Sequence, residues 1–113
     1  MSLAQVRSLI HKQHASLGKD HTRFPRDVFH AARSIFALYK EGKADPILYE
    51  ANKAKLDDRI IDAARHLNTL IKFAETDPAR FKNQVNGYKR LFRQIAATLG
   101  LTVKELEAEA TKH

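Results

Sequence analysis

Arg59, Asp62 and His66 fall three and four residues apart, a spacing that sets a guanidinium, a carboxylate and an imidazole on one edge of a helix. Such an edge has two readings. Either cation and imidazole act together on a substrate, or Asp62 forms surface ion pairs with Arg59, Arg65 and His66. His11 and His14 form a second group, three residues apart. A zinc site needs three or four ligands, commonly with carboxylate or thiolate help. The surrounding helix offers no carboxylate, and Arg7 beside the pair opposes a cation. His14 lies on an apolar stripe and is read as a packed residue. Asp57, Asp58 and Asp62 are acidic neighbours expected on an exposed flank, where nothing would raise a carboxyl pKa. There is no glycine-rich phosphate loop, nucleophile elbow or zinc-protease pair. The chain has no cysteine, which excludes disulfides and thiolate metal sites. No catalytic, cofactor-binding or metal-binding residue is assigned, and the chain is read as a binding protein rather than an enzyme.

The strongest functional signal is a ladder of one charge. From Pro78 to Lys104 there are six bases and no acid. Phe81, Val85, Tyr88, Phe92, Ile95 and Leu99 mark one helix face, and Lys82, Asn86, Lys89, Arg90 and Arg93 cover the opposite flank. Arg26 and Arg33, with Arg7, Lys12 and Arg23, extend the patch if the N-terminal helices lie alongside. A face of this kind contacts the phosphate backbone of nucleic acid without reading its sequence. An acidic protein partner, or a merely solvated face, would carry the same residues. The net charge of +7 is unevenly distributed along the chain. Residues 1–40 hold seven bases against Asp20 and Asp27, a net of +5. Residues 41–77 hold six bases and eight acids, a net of −2. This is an electrostatic footprint rather than general solubility.

Two local resemblances bear on function. Gln94–Ala110 resembles a helix-turn-helix unit: Ala96 and Gly100 stand at the close-packing and turn positions, with Ile95, Leu99, Leu101 and Leu106 at the apolar ones. Glu109 departs from the usual buried aliphatic residue. Glu105, Glu107 and Glu109 on the would-be recognition helix would repel phosphates. The expectation is a capped C-terminal helix folded onto the bundle. Arg59 and His66 on one helix edge are similar to the arginine–histidine motif of the HEPN ribonucleases. That resemblance implies RNA cleavage by a site usually assembled from two chains. Ile60 departs from the polar residue typical after the arginine.

The elements that would position these groups are marked by proline and glycine. Pro25, Pro46 and Pro78 stand where a helix can begin without an amide donor. Gly18, Gly42 and Gly100 follow periodic runs, at the left-handed position beyond a helix end. Five helices result, over about 2–17, 25–41, 46–75, 78–99 and 103–111. A kink is allowed near Asn52–Lys55, and Gly87 is read as a close contact within a continuous helix. Asp45 caps the third helix, and Thr102 with Glu105 forms a capping box on the last. The first stripe is Leu3, Val6, Ile10, His14 and Leu17, with Leu9 beside it. The second helix carries the richest aromatic face, Val28, Phe29, Ala32, Ile35, Phe36 and Tyr39, whose surplus would serve a homodimer. The fold class is all-α, a bundle of four to five helices with short connections. A chain of 113 residues is read as one domain over 1–113. MSLAQVRSLIHKQ has no long uncharged apolar core, so no signal peptide is expected, and no run is long enough to span a membrane. Cysteine usage fits a cytoplasmic location.

Overall fold

A 31-residue helix, Pro46–Thr76, is the axis of the molecule. At 1.5 Å per residue it spans about 46 Å, which matches the 46 Å long dimension of the protein. The computed structural model describes residues 2–112, with the side chain of Leu3 outside the described set. Among the described residues there are six helices and no strand: α1 (Leu3–Leu17), α2 (Pro25–Lys43), α3 (Pro46–Thr76), α4 (Pro78–Phe81), α5 (Val85–Leu99) and α6 (Val103–Ala110). The all-α class is as the periodicity predicts; the helix count is one higher. α3 packs against each of the other five. One connected core joins Val6, Ile10 and Leu17 of α1 to Leu106 of α6 through the buried face of α3, including Leu56, Ile60 and Leu67.

The helix starts follow local chemistry. Ser2 caps α1 reciprocally with Gln5, at 2.8 and 3.2 Å. Asp45 accepts from the amide of Leu48 at 3.3 Å, and Thr102 and Glu105 form the predicted box at 3.0 and 3.1 Å. Each cap satisfies amides that the first helical turn leaves without partners. All three prolines occupy the first helical position.

Several boundaries differ from the sequence expectation. Gly100 alone is left-handed, at φ 73°. Gly18 ends α1 in a right-handed conformation, at φ −80°. Gly42 is buried inside α2, which runs on to Lys43 and is capped by Ala44. α3 is continuous through Asn52–Lys55. There Asn52 donates to the carbonyl of Leu48 at 3.2 Å and accepts from Arg7 of α1 at 3.0 Å.

The helix predicted over 78–99 is broken instead. Lys82, Asn83 and Gln84 form an exposed turn, closed by a bond from the Gln84 amide to the Phe81 carbonyl at 3.0 Å. Nothing apolar holds those three residues in a helix, and Asn83, Asn86 and Gly87 all have low helix propensity. Phe81 and Tyr88, on either side of the turn, are both buried in the core, with ring centroids 6.4 Å apart.

The aromatic face of α2 is taken up within the chain. Val28, Ala32, Ile35, Phe36 and Tyr39 are buried, and Phe29 packs at the core margin. Among the described residues the large exposed apolar side chains are Leu9, Phe24, Ile47, Leu48 and Val103, outside that face. The aromatic face of α2 is thus covered by the chain's own core.

Candidate nucleic-acid interface

Lys82, Asn86, Lys89, Arg90 and Arg93 are all exposed, and the four cations take part in none of the ion pairs among the described residues. The fold divides them. Lys82 lies in the turn before α5. Lys89 and Arg93 line a groove of about 810 Å³ between α3, α5 and α6, where Lys72 and Lys104 join them. Glu75 and Glu107 share the rim, and Asn68, Ile71 and Phe92 form its floor. The other edge of α5 meets α2: a Cβ on Gly87 would lie 3.8 Å from the Phe29 ring, and the Phe29 and Tyr88 rings are 5.1 Å apart. Arg26 and Arg33 stand three before and four after Phe29, on this seam, as Arg90 stands three after Gly87. They are exposed, but across α5 from the groove.

The further N-terminal cations do not extend one patch. Arg7 binds Asn52 and lines a different groove. Arg23 lies over the Phe24 ring, 5.2 Å from its centroid. Lys12 is exposed on α1. Lys72, Lys104 and Asn68, which the structure adds to the site, lie in isolated positions of the sequence with no motif to reveal them.

α5, the Gly100 turn and α6 have the outline of a helix-turn-helix, but α6 packs chiefly on α3. Glu105 and Glu107 are exposed and Glu109 half-buried. The last helix is thus folded onto the bundle, as its acids require.

A second groove, about 1040 Å³, separates α1 from α3 and includes Arg7, His11, Lys55 and Arg59. Within it Asp62 accepts from His14 Nε2 and from Arg65. The Asp62 side chain is 14% exposed, so the expected exposed flank is wrong for this carboxylate. Burial first, then the Arg59 and Arg65 cations, push the His14 pKa below the ordinary imidazole range. Arg65 shares the Asp62 charge with His14. Among the described residues no hydroxyl is hydrogen-bonded to His14.

His66 does not join Arg59 at that groove. It meets His21 of the α1–α2 connection, Nε2 to Nδ1 at 3.0 Å, with the rings stacked at 5.0 Å and 16°. Burial, followed by His21, Arg65 and His14, pushes its pKa down to about 4. One ring nitrogen must carry the proton of that contact, so the pair is stable with both imidazoles neutral.

Asp57 is also drawn inward. Tyr39 and Tyr49 donate to its Oδ1 at 2.7 and 2.8 Å, and their own oxygens stand 2.9 Å apart. Burial raises both phenol pKa values, so two hydroxyl protons serve three contacts. Lys43 lies above both rings and donates to the Thr98 carbonyl at 2.9 Å. The cluster ties α2 and α5 to the start of α3. Among the described residues no three His, Asp or Glu side chains converge to hold a metal ion, and no helix is long and apolar enough to cross a membrane.

Comparison of the chain with known protein families, curated proteins and solved structures finds no match.

Proposed function

We propose that this chain is a non-catalytic nucleic-acid-binding protein that holds the phosphate backbone through α5 and the turn before it. The supporting observation is that Lys82, Lys89, Arg90 and Arg93 are exposed and free of ion pairs among the described residues, in a segment without an acid. Exposed cations outside any ion pair gain from displacing counterions on a polyphosphate. Arg26 and Arg33 form an outlying contact across the α2 seam. The chain acts as a single helical domain in the reducing cytoplasm, consistent with the lack of cysteine.

The test is fluorescence anisotropy with a random duplex and a random single strand at 50 and 200 mM salt. Four neutralised phosphates imply that duplex affinity falls about 100-fold between those concentrations. The Lys82/Lys89/Arg90/Arg93→Glu variant should show no binding at either. A wild type that binds nothing at 50 mM salt overturns the reading and leaves an acidic protein as the partner to seek. Affinity that does not change with salt overturns it equally.

A further inference from the structure

The groove between α3, α5 and α6 holds a polar group that the phosphate reading does not use. Asn68 is only 9% exposed, the one polar side chain among the described residues that is so deeply buried. Its amide makes no hydrogen bond with the described residues. Since no enclosed side-chain nitrogen or oxygen lacks a partner, the amide opens into the groove that Asn68 lines. A buried amide offers one acceptor and two donor hydrogens in a fixed plane. Around it lie the apolar surfaces of Ile71 and Phe92, with Lys89 and Arg93 on the α5 rim.

We propose that this groove takes one unpaired nucleotide of a single strand, its base on the Asn68 amide and its flanking phosphates on Lys89 and Arg93. The proposal rests on the phosphate-binding reading and adds a substrate class to it. A nucleobase is planar and apolar on its faces, with donors and acceptors on its edge. Those are the properties of a floor made from an amide between apolar groups. In a duplex the base edges are paired and stacked, and cannot reach a floor between helices. Unpaired bases can leave the stack and be read on their edges. Lys89 and Arg93 stand one helical turn apart, with about 5–6 Å between Cβ atoms, a spacing suited to successive phosphates of an extended strand. The volume of about 810 Å³ is within the range of small-ligand sites. Glu75 and Glu107 also line the groove and disfavour an acidic peptide laid along its whole length. A strand that enters it with a neutral base and keeps its phosphates at the α5 rim meets less repulsion.

Three proteins and two probes test this. Wild type, Asn68→Leu and Arg93→Glu are titrated with a fluorescent random single strand and with the matching duplex. Leucine keeps the branching and heavy-atom count of asparagine without its polar edge, and circular dichroism and melting check that the larger side chain leaves the variant folded. The wild type is expected to bind the single strand more tightly than the duplex. Asn68→Leu should lower single-strand affinity about tenfold, as loss of one base-edge contact does, and leave duplex affinity unchanged. Arg93→Glu should weaken both. Equal affinity of the wild type for the two probes, or an Asn68→Leu protein that binds the single strand like wild type, overturns the groove assignment. Backbone binding survives either result if Arg93→Glu still weakens both probes. Absence of binding to both probes by the wild type removes the phosphate reading itself, and the groove proposal with it.

Discussion

His66 keeps its imidazole neutral where a free histidine would take up a proton, because burial and the neighbouring His21, Arg65 and His14 all oppose the charge. The unfolded chain binds that proton near pH 6.5, whereas the folded chain binds it only near 4. Between those values the unfolded state holds more protons, so stability rises with pH. The contribution of His66 is complete above about 6.5 and is lost as the pH falls through about 4. His21 and His14 are shifted in the same direction. Urea midpoints measured from pH 4 to 7.5 should fall on the acid side, and His66→Gln should flatten that dependence. A variant with the same slope as wild type would show that the other groups cause it. At the Tyr39–Tyr49–Asp57 cluster, Tyr39→Phe removes a donor from a half-buried carboxylate and should cost about 1–2 kcal/mol in urea unfolding. Of these contacts only the Asp62–Arg65 pair, three residues apart on one helix, is legible in the sequence. The other residues that meet lie 8 to 48 positions apart, and spacing along one helix says nothing about a neighbour from another.

Two glycines of the α5 unit predict opposite outcomes at the scale of the element. Gly87 has a negative φ and room for a methyl group, 3.8 Å from the Phe29 ring. Gly87→Ala should therefore stabilise the protein by about 0.4–1 kcal/mol, chiefly by restricting the unfolded chain. Gly100, at φ 73°, closes α5 in a conformation that a Cβ disfavours. Gly100→Ala should destabilise by about 1 kcal/mol even though nothing crowds the position. Thermal melts of the two variants should shift in opposite directions. Helix starts were legible because a cap needs only three or four successive residues, as at Asp45 and Thr102. The break after Phe81 was less so. The apolar stripe keeps its register across Lys82–Gln84, so the period alone does not reveal the turn.

At the scale of the whole molecule, charge and core are separable. Changing Lys82, Lys89, Arg90 and Arg93 to glutamate shifts the net charge by two units each, from +7 to −1. All four side chains are exposed and outside the ion pairs, so each reversal should alter stability by no more than about 0.5 kcal/mol. A folded, two-state melt of that variant, alongside lost binding, would place the effect on the surface rather than on the fold. The sequence by itself determined the all-helical class, the proline starts, the caps of α3 and α6 and the segregation of charge. Each of these depends on residues close in the chain or on composition. Tertiary structure alone decided that α3 is the axis, that the aromatic face of α2 is covered, and that Asp57 and Asp62 are drawn inward. It also decided that the α5 cations divide between the α6 groove and the α2 seam. The reason is geometric: a helical stripe states which residues share a face, but the neighbour that covers the face is chosen by how all the helices fill one core.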